Sequence, residues 1–295
     1  MIQSIMNAAV LGSIYLLFSM GMSLAWGTVG ILNFAHGAIF MFSSFAVYLI
    51  TSMTALPAIL CVIIAALVGA ILSVLMQTLV YGVIRKRSTD HHAAERNVII
   101  GGIGLAAILI GFASHATKSG SFGFATTDQN PVLEFAGIRI TAVSLTIFVV
   151  AIAISIALAM WIRRSRGGLA LRTVGVDAET AKLMGINESR LAIGTMAFAG
   201  LLAGLAGGLL TIHLVAINPT TGDGLLLKAF AAIILGGVGS VLGVVIGSFV
   251  LAFVETFMIL GGVGGWASAV AFAIIFLVLI IRPRGLFGRA EVRRT

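Results

Sequence analysis

The chain has 295 residues, of which 60% are hydrophobic and only 9% are charged. A water-soluble domain carries about 25% charged residues, so this composition cannot cover a solvated surface and excludes a soluble globular protein. The net charge of +8 comes from basic clusters between apolar stretches, a pattern that membrane topology explains without nucleic-acid binding. The composition therefore predicts one all-α domain over residues 1–295, built as a polytopic transmembrane helical bundle.

The apolar stretches are long enough to serve as membrane-spanning helices, each of which needs about 20 residues. The stretch 225–260 is too long for one crossing, and the glycine-rich run 236–239 interrupts it. We therefore predict about eight to nine spans, with broken or re-entrant helices near residues 27–30 and 236–239. The stretches are residues 7–26, 31–50, 58–84, 98–116, 140–162, 191–215, 225–260 and 266–281.

Basic side chains cluster at residues 85–96, at residues 163–190 and in the C-terminal tail from Arg282. The positive-inside rule acts on short loops and predicts that all three clusters lie in the cytoplasm. An even number of crossings must then separate the second cluster from the third. This requires the stretch 225–260 to form two crossings or two half-helices that meet at the glycines. The three spans before Arg85 put the N-terminus on the outside.

Two glycine-interrupted segments resemble each other. Residues 26–30, Trp-Gly-Thr-Val-Gly, read like residues 235–239, Leu-Gly-Gly-Val-Gly, and each segment lies midway through a long apolar region. Paired interruptions in the two halves of a transporter indicate its translocation pathway. The chain contains 36 glycines, so a chance match is the other explanation.

Two rows of glycines are spaced by four residues, which places each row on one face of a helix. Small residues in such rows allow two helix backbones to approach closely. The pattern indicates tight helix packing, either inside this chain or against a partner. The rows are Gly200, Gly204 and Gly208, and Gly239, Gly243 and Gly247.

A few polar residues fall inside apolar stretches, where burial is costly and therefore informative. Asn33 and His36 are three residues apart and share a face if that segment is helical. They either line a solute path or a gate, or they hydrogen-bond between helices. Glu255 is the only carboxylate in the interior of a predicted span. It either contacts solute or pairs with Lys228, whose long side chain can instead extend to the interface.

The basic loop at residues 163–190 contains the signals of a short capped helix. Asp177 is a good N-cap, Glu179 adds negative charge to the first turn, and Gly185 suits the C-terminal stop. Such a helix either docks on a partner protein or lies at the membrane interface. The apolar stripe available to it consists of Val176, Leu183 and Met184.

Several segments together carry a resemblance that runs over nearly the whole chain. They are Gly-Ile-Leu-Asn-Phe-Ala-His-Gly at 30–37, the loop 175–187, Asn-Pro at 218–219, Lys-Ala-Phe at 228–230, Leu-Gly-Gly-Val-Gly-Ser at 235–240 and Arg-Pro-Arg-Gly-Leu-Phe-Gly at 282–288. On these residues the chain resembles the branched-chain amino acid permease family of ABC importers, and within it the LivH-like subunit. Permeases for urea, short amides and aromatic acids look similar, so the cargo stays open among these solutes.

The resemblance implies a multi-pass permease subunit in a bacterial inner membrane that forms half of a translocation pore. The partners it implies are a second, LivM-like permease, two cytoplasmic ATPase subunits and an extracytoplasmic solute-binding protein. The sequence contains no P-loop motif. ATP and Mg²⁺ are therefore expected on the ATPase partners, and no cofactor, metal ion or catalytic residue is expected in this chain.

We accordingly predict two groups of functional residues. The first group belongs to the substrate pathway, and the second to a helix that docks in a groove of the ATPase. The pathway group consists of Asn33, His36, Gly37, Gly237, Gly239 and Glu255, and the coupling group of Asp177, Glu179, Lys182, Leu183, Met184 and Gly185.

Two other classes of membrane protein fit the sequence less well. A secondary transporter working alone usually carries several intramembrane carboxylates for ion coupling, and here Glu255 is the only one. An intramembrane enzyme needs a nucleophile with its base or a cluster of metal ligands. No such set occurs at a recognisable spacing.

Overall fold

The structure, a computed structural model, describes residues 1–30, 33–88, 90–128, 132–135, 138–282 and 285–288. Helices dominate these ranges, together with one antiparallel hairpin of two strands. A π-helical turn, Gln77–Tyr81, joins α3 to α4, and a 3₁₀ turn, Gly264–Trp266, precedes α12. The helices are α1 (Ile2–Val29), α2 (His36–Thr51), α3 (Ala58–Met76), α4 (Gly82–Arg87), α5 (His91–Thr117), α6 (Ala142–Arg164), α7 (Arg166–Val174), α8 (Ala178–Leu183), α9 (Glu188–Leu214), α10 (Thr221–Gly236), α11 (Val241–Leu260) and α12 (Ala267–Ile281), and the strands are β1 (Val132–Phe135) and β2 (Ile138–Thr141).

Within the described ranges, seven helices are long and apolar enough to cross a membrane, and α2 is a shorter apolar helix. The seven are α1, α3 with its continuation α4, α5, α6, α9, α11 and α12 with its 3₁₀ turn. The prediction of a polytopic helical bundle is therefore confirmed.

Both predicted interruptions coincide with helix ends. The stretch 225–260 divides into α10 and α11, and the backbone between them turns through φ angles of 98° at Gly237 and 78° at Gly239. A Cβ atom makes these left-handed conformations unfavourable, so glycine is the residue that permits this turn. The earlier interruption lies at the end of α1, which continues through Gly27 and ends at Val29, with Gly30 as its C-cap.

The bundle has two different ends. One end carries β1 and β2, and we call it the hairpin end. There, Gln3 of α1 donates to the carbonyl of Arg139 at 2.9 Å and accepts from its backbone N–H at 3.0 Å. The backbone N–H of Ala58, at the start of α3, donates to Asp128 Oδ2 at 2.6 Å. The first turns of α1 and α3 therefore lie at the same end of the molecule as the hairpin.

The opposite end collects the basic clusters, and we call it the basic end. Arg85 of α4 pairs with Glu188 at the start of α9 at 3.6 Å, and Lys182 of α8 pairs with the same carboxylate at 2.8 Å. The backbone N–H of Leu286 donates to the carbonyl of Leu235 at 2.9 Å. A Cβ on Gly175, in the second cluster, would lie 3.1 Å from the carbonyl of Gly27 at the end of α1, and the adjacent Trp26 packs on Phe230 of α10 with ring centroids 6.4 Å apart. The first two basic clusters and the described part of the tail therefore lie at one end of the bundle.

The helices differ greatly in how far they are enclosed. In the most apolar 18-residue window of each helix, 83% of α1 and 67% of α9 are buried. The corresponding fraction is 22% in α5 and α6 and 12% in α12. Because lipid tails solvate apolar side chains, an aliphatic helix surface in a membrane needs no protein cover. α1 and α9 therefore form the centre of the bundle, and α5, α6 and α12 form its periphery.

The glycine row of α9 packs inside the chain, against α3. A Cβ on Gly204 would fall less than 3.0 Å from the carbonyl of Ala65, and Cβ atoms on Gly200 and Gly69 would each meet the other residue's carbonyl oxygen. A Cβ on Gly208 would lie 3.1 Å from the Cβ of Ala65. Of the two readings of this row, packing within the chain is the one that the structure supports.

The second glycine row closes the α10–α11 pair. Gly236 and Gly243 face each other so closely that a Cβ on either would overlap the other's backbone. A Cβ on Gly247, one turn further along α11, would meet the carbonyl of Ala232. Gly239 does not join this contact, because it lies in the turn between the two helices.

The α9–α3 contact yields a stability prediction. The variant Gly204→Ala adds a methyl group against the backbone of Ala65 and should lower the free energy of unfolding by about 1–3 kcal/mol, the usual cost of overpacking. The matched variant Gly194→Ala lies on the same helix with nothing within 4 Å of its Cβ, so it should be neutral or slightly stabilising. Thermal unfolding in detergent measures both, and an equal melting temperature for the two variants would contradict the packing described here.

Candidate functional site

α10 begins part-way along the length of the bundle and not at one of its two ends. The first turn of α10 packs on the start of α2, and a Cβ on Gly37 would lie 2.5 Å from the carbonyl oxygen of Gly222. Thr51, the last residue of α2, is fourteen positions after Gly37, which corresponds to about 21 Å of helix. It lies near the hairpin end, because the backbone N–H of Leu56, just beyond it, donates to the carbonyl of Ala125 at 3.2 Å. α10 is therefore a half-helix that runs from within the bundle to the basic end.

One face at the start of α10 is exposed and carries polar groups. Thr220, the N-cap residue, is exposed, as are Asp223 and Gly224 in the first turn, and Leu227 in the second turn is 53% exposed. An ionisable side chain at this depth is not placed against lipid, because the cost in hydrocarbon is several kcal/mol. This face of α10 must instead meet another protein or a water-filled path.

A compact polar turn sets the start of α10. Asn218 Oδ1 accepts hydrogen bonds from the backbone N–H of Thr220 at 3.1 Å and from the hydroxyls of Thr220 and Thr221 at 3.0 Å each. The backbone N–H of Asn218 in turn donates to Thr221 Oγ1 at 3.0 Å. These bonds satisfy polar groups that would otherwise be orphaned where a helix starts within a membrane bundle. Asn218 therefore has a structural role in fixing where the exposed face begins.

A charged cluster joins α10 to α11 and α1. Lys228 Nζ donates to Glu255 Oε1 at 2.6 Å and to Tyr15 Oη at 2.9 Å. Tyr15 Oη donates to Glu255 Oε2 at 2.6 Å. The pairing of Lys228 with Glu255, one of the two roles that the sequence left open for this carboxylate, is present in the structure. Tyr15 is the third member, and we call the three residues the triad.

The triad has no net charge, and its two charged side chains are partly exposed. The side chain of Lys228 is 29% exposed and that of Glu255 is 19% exposed. The ammonium group also lies 5.3 Å from the centre of the Tyr15 ring, within range of a cation–π contact. Removing one charge of such a pair leaves the other uncompensated, whereas replacing both by neutral side chains is often tolerated.

Asn33 and His36 lie within the protein interior. Asn33, 3% exposed, accepts hydrogen bonds at Oδ1 from Tyr81 Oη at 2.8 Å and from the backbone N–H of Ala35 at 3.1 Å. His36 is fully buried, and its Nε2 donates to the carbonyl of Phe18 at 3.2 Å. Asn33 Nδ2 and His36 Nδ1 have no hydrogen-bond partner among the described residues. Both side chains bridge helices in this conformation, and their contact with solute stays a prediction.

Gly237 and Gly239, also predicted for the pathway, lie at the basic end. The tail crosses the end of α10 there, where the backbone N–H groups of Leu286 and Phe287 donate to the carbonyls of Leu235 and Gly236 at 2.9 and 3.0 Å. These two bonds satisfy carbonyls that a helix C-terminus leaves unpaired. The described part of the tail, residues 285–288, therefore covers Gly237, whereas Gly239 is exposed.

The loop between α6 and α9 forms the predicted short helix, α8. Asp177 is its N-cap, and its Oδ1 accepts from the backbone N–H of Thr180 at 3.0 Å. At the other end, Gly185 has a φ of 82°, and its N–H donates to the carbonyl of Lys182 at 3.0 Å. The N–H of Ile186 donates to the carbonyl of Ala181, also at 3.0 Å. This pair of bonds is a Schellman motif with glycine at the position that it favours.

The outer surface of this loop carries exposed apolar side chains. Val176 and Leu183 are each 89% exposed, and Met184 is 73% exposed. An apolar patch of this kind beside basic side chains marks a site of contact with protein or membrane. The side chain of Glu179, a predicted coupling residue, lies outside what the structure describes.

Sequence reasoning missed Tyr15 and Tyr81. Tyr15 is 240 residues from Glu255 in the chain, and Tyr81 is 48 residues from Asn33. The chain contains only three tyrosines, and a buried tyrosine hydroxyl usually has a hydrogen-bond partner. Tyrosines within apolar stretches could therefore have been identified as candidate partners of the buried polar residues. The structure also adds α7, which the sequence analysis did not separate from the basic loop.

No group of three or more His, Cys, Asp or Glu side chains suited to a metal ion converges among the described residues.

Known proteins resemble this chain along nearly its full length. The family model described as the branched-chain amino acid transport system permease component matches residues 4–279. The high-affinity branched-chain amino acid transport system permease protein BraD of Pseudomonas aeruginosa is 29% identical, over 99% of this chain and 97% of its own length.

A second relative matches equally far. The permease protein LivH of the high-affinity branched-chain amino acid transport system of Escherichia coli K12 is 30% identical, over 99% of this chain and 97% of its own. No solved structure matches the chain. The family match and these full-length relatives agree with each other, and the chain belongs to the family of branched-chain amino acid transport permease components.

Proposed function

We propose that this chain is a permease subunit of an ABC importer and forms one half of the pore through which a small polar solute crosses the membrane. The observation that carries the proposal is the exposed polar face of α10, with Asp223 and Gly224, inside an otherwise apolar bundle. One chain leaves this face open, so a second permease is needed to complete the path. The names of the full-length relatives support branched-chain amino acids as the cargo.

The proposed assembly contains three kinds of partner component. A second, LivM-like permease faces α10, two ATPase subunits bind and hydrolyse ATP with Mg²⁺, and an extracytoplasmic binding protein delivers the solute. The absence of a P-loop from the sequence supports a division of labour in which this chain moves in response to ATP hydrolysis elsewhere. This chain itself is then neither an ATPase nor an enzyme of another kind.

We assign the basic end to the cytoplasm of a bacterial inner membrane. Lys86 and Arg87 at the end of α4 are exposed, as are Arg163 and Arg164 at the end of α6. Because an excess of such side chains in short loops marks the cytoplasmic side, this end faces the ATPases and the hairpin end faces the binding protein. The exposed stripe of Val176, Leu183 and Met184 then supports α8 as the segment that docks on an ATPase.

The subunit assignment is tested by reconstitution. The purified chain in liposomes should neither hydrolyse ATP nor take up leucine, whereas liposomes with both permeases, both ATPases and the binding protein should do both. Radiolabelled leucine uptake and phosphate release measure the two activities. Uptake by this chain alone would overturn the proposal that it is one half of a driven pore.

The orientation is tested by cysteine labelling. Cys61, the single cysteine, is buried and is first replaced by alanine. In that background Met53→Cys, at a position that is 91% exposed near the hairpin end, should react in intact cells with a maleimide that does not cross membranes. Leu183→Cys should react only after the membrane is permeabilised. Labelling in the reverse order would contradict the assignment of the ends.

The docking role of α8 is tested by changing its apolar stripe. The variant Leu183→Glu/Met184→Glu places two carboxylates in the proposed apolar contact, so the leucine transported per ATP hydrolysed should fall about tenfold or more. The control Leu183→Met/Met184→Leu keeps the stripe apolar and should retain the wild-type ratio. An unchanged ratio in the charged variant, at equal amounts in the membrane, would exclude docking through this stripe.

A further inference from the structure

We propose that Lys228 and Glu255 are a recognition site for the two charges of a zwitterionic solute, and that they exchange partners with it as it moves along α10. This inference rests on the proposed function and deepens it, because it names the class of solute that the path favours. Tyr15 is the positioning residue of the site. It keeps one hydrogen bond on each charged side chain while the ion pair is open.

The position of the triad relative to the exposed face supports this role. Lys228 follows Leu227 directly and lies one helical turn from Gly224, two residues of the exposed face of α10. Tyr15 is close to the midpoint of α1, which runs from Ile2 to Val29. The triad therefore lies near the middle of the bundle, at the border of the only face of α10 that protein does not cover in its first two described turns.

The partial exposure of the pair argues against a purely structural role. A buried ion pair gains little net stability, and apolar side chains of similar volume often replace it without loss. Here the charges remain within a mostly apolar bundle, with 29% of the Lys228 side chain and 19% of the Glu255 side chain open. Charged side chains within membrane-spanning segments are rare, pair with one another, face the bundle interior or a water-filled cavity, and mark the pathways of solutes and ions.

The chemistry of a zwitterion matches the pair. An amino acid carries an ammonium group and a carboxylate on the same carbon atom, so it can offer its carboxylate to Lys228 and its ammonium group to Glu255 at the same time. The site and the solute are each neutral, and every charge stays paired during the exchange. A purely cationic or anionic solute leaves one charge unpaired in a site of low dielectric constant, which disfavours its binding relative to a zwitterion.

Tyr15 makes this exchange feasible with little rearrangement. Its hydroxyl accepts from Lys228 Nζ at 2.9 Å and donates to Glu255 Oε2 at 2.6 Å. When the direct contact between Lys228 and Glu255, now 2.6 Å, opens to admit the solute, each side chain retains the tyrosine as a partner. Neither charged group is then left without a hydrogen bond, which would be costly for a buried charge.

The complete importer in liposomes tests the inference, with leucine as solute. The variant Lys228→Met/Glu255→Gln removes both charges together and leaves none unpaired. We expect the leucine transported per ATP hydrolysed to fall about tenfold or more. Lys228→Glu/Glu255→Lys restores both charges in the opposite order and should recover most of this loss. The control Glu95→Gln removes a carboxylate that pairs with His92 at 3.8 Å on the surface, and it should retain the wild-type ratio.

The readouts separate recognition from a structural role. If the pair only holds α10 against α11, the variant should have a lower melting temperature and a lower total uptake. The leucine transported per ATP hydrolysed should then stay at the wild-type value. That result in Lys228→Met/Glu255→Gln overturns the inference. If this variant does not assemble, Lys228→Gln/Glu255→Gln also removes both charges but keeps polar side chains at the two positions. A wild-type ratio there overturns the inference equally.

Failure of the proposed function gives a different result. If the wild-type importer does not transport leucine at all, the proposed cargo is wrong, whatever the variants do. If the wild type transports leucine and the exchanged pair restores what the neutral pair loses, the inference is supported. The variant Tyr15→Phe completes the set and should lower the ratio less than the loss of both charges does.

Discussion

The backbones of α3 and α9 touch because glycine replaces a side chain at each point where the two helices meet. In a membrane no hydrophobic effect drives helices together, so close packing must supply the attraction that water supplies in soluble proteins. Gly200 and Gly204 of α9 provide this contact with Gly69 and Ala65 of α3. α9 in turn packs on α1 and α2, and the position of α10 depends on α2. The fixed centre formed by α9 therefore determines where the exposed face of α10 lies.

The bundle combines this fixed centre with two less enclosed elements. α10 leaves its first turns open, and α8 presents its apolar stripe at the basic end. α8 follows directly from α7, and α7 contacts both α6 and α9, so a displacement of α8 is passed to helices that cross the whole bundle. A subunit whose conformation changes in response to a partner protein needs both a rigid part and segments that can move relative to it.

Much of the fold was predictable from the sequence, because composition, glycine spacing and charge position act locally. The parity of the basic clusters required the stretch 225–260 to be a broken pair, and glycine at position 185 indicated the end of α8. The pairing of Lys228 with Glu255 was foreseen as one of two alternatives. Tyr15 was not foreseen, since no local pattern links residues 240 positions apart. The depth at which α10 begins also depends on tertiary contacts that a hydropathy pattern does not contain.

The order of the helices along the chain has a consequence for how this protein is made. Helices enter the bilayer as they are synthesised, and α1 is the most buried helix of the set, although its neighbours α9 and α11 are made some two hundred residues later. α1 must therefore lie in lipid before α9 and α11 are made. It can do so because Tyr15, its member of the triad, carries no charge. Lys228 and Glu255 belong to consecutive helices and can be inserted as one neutral hairpin. Neither charge then has to enter the hydrocarbon alone during biogenesis.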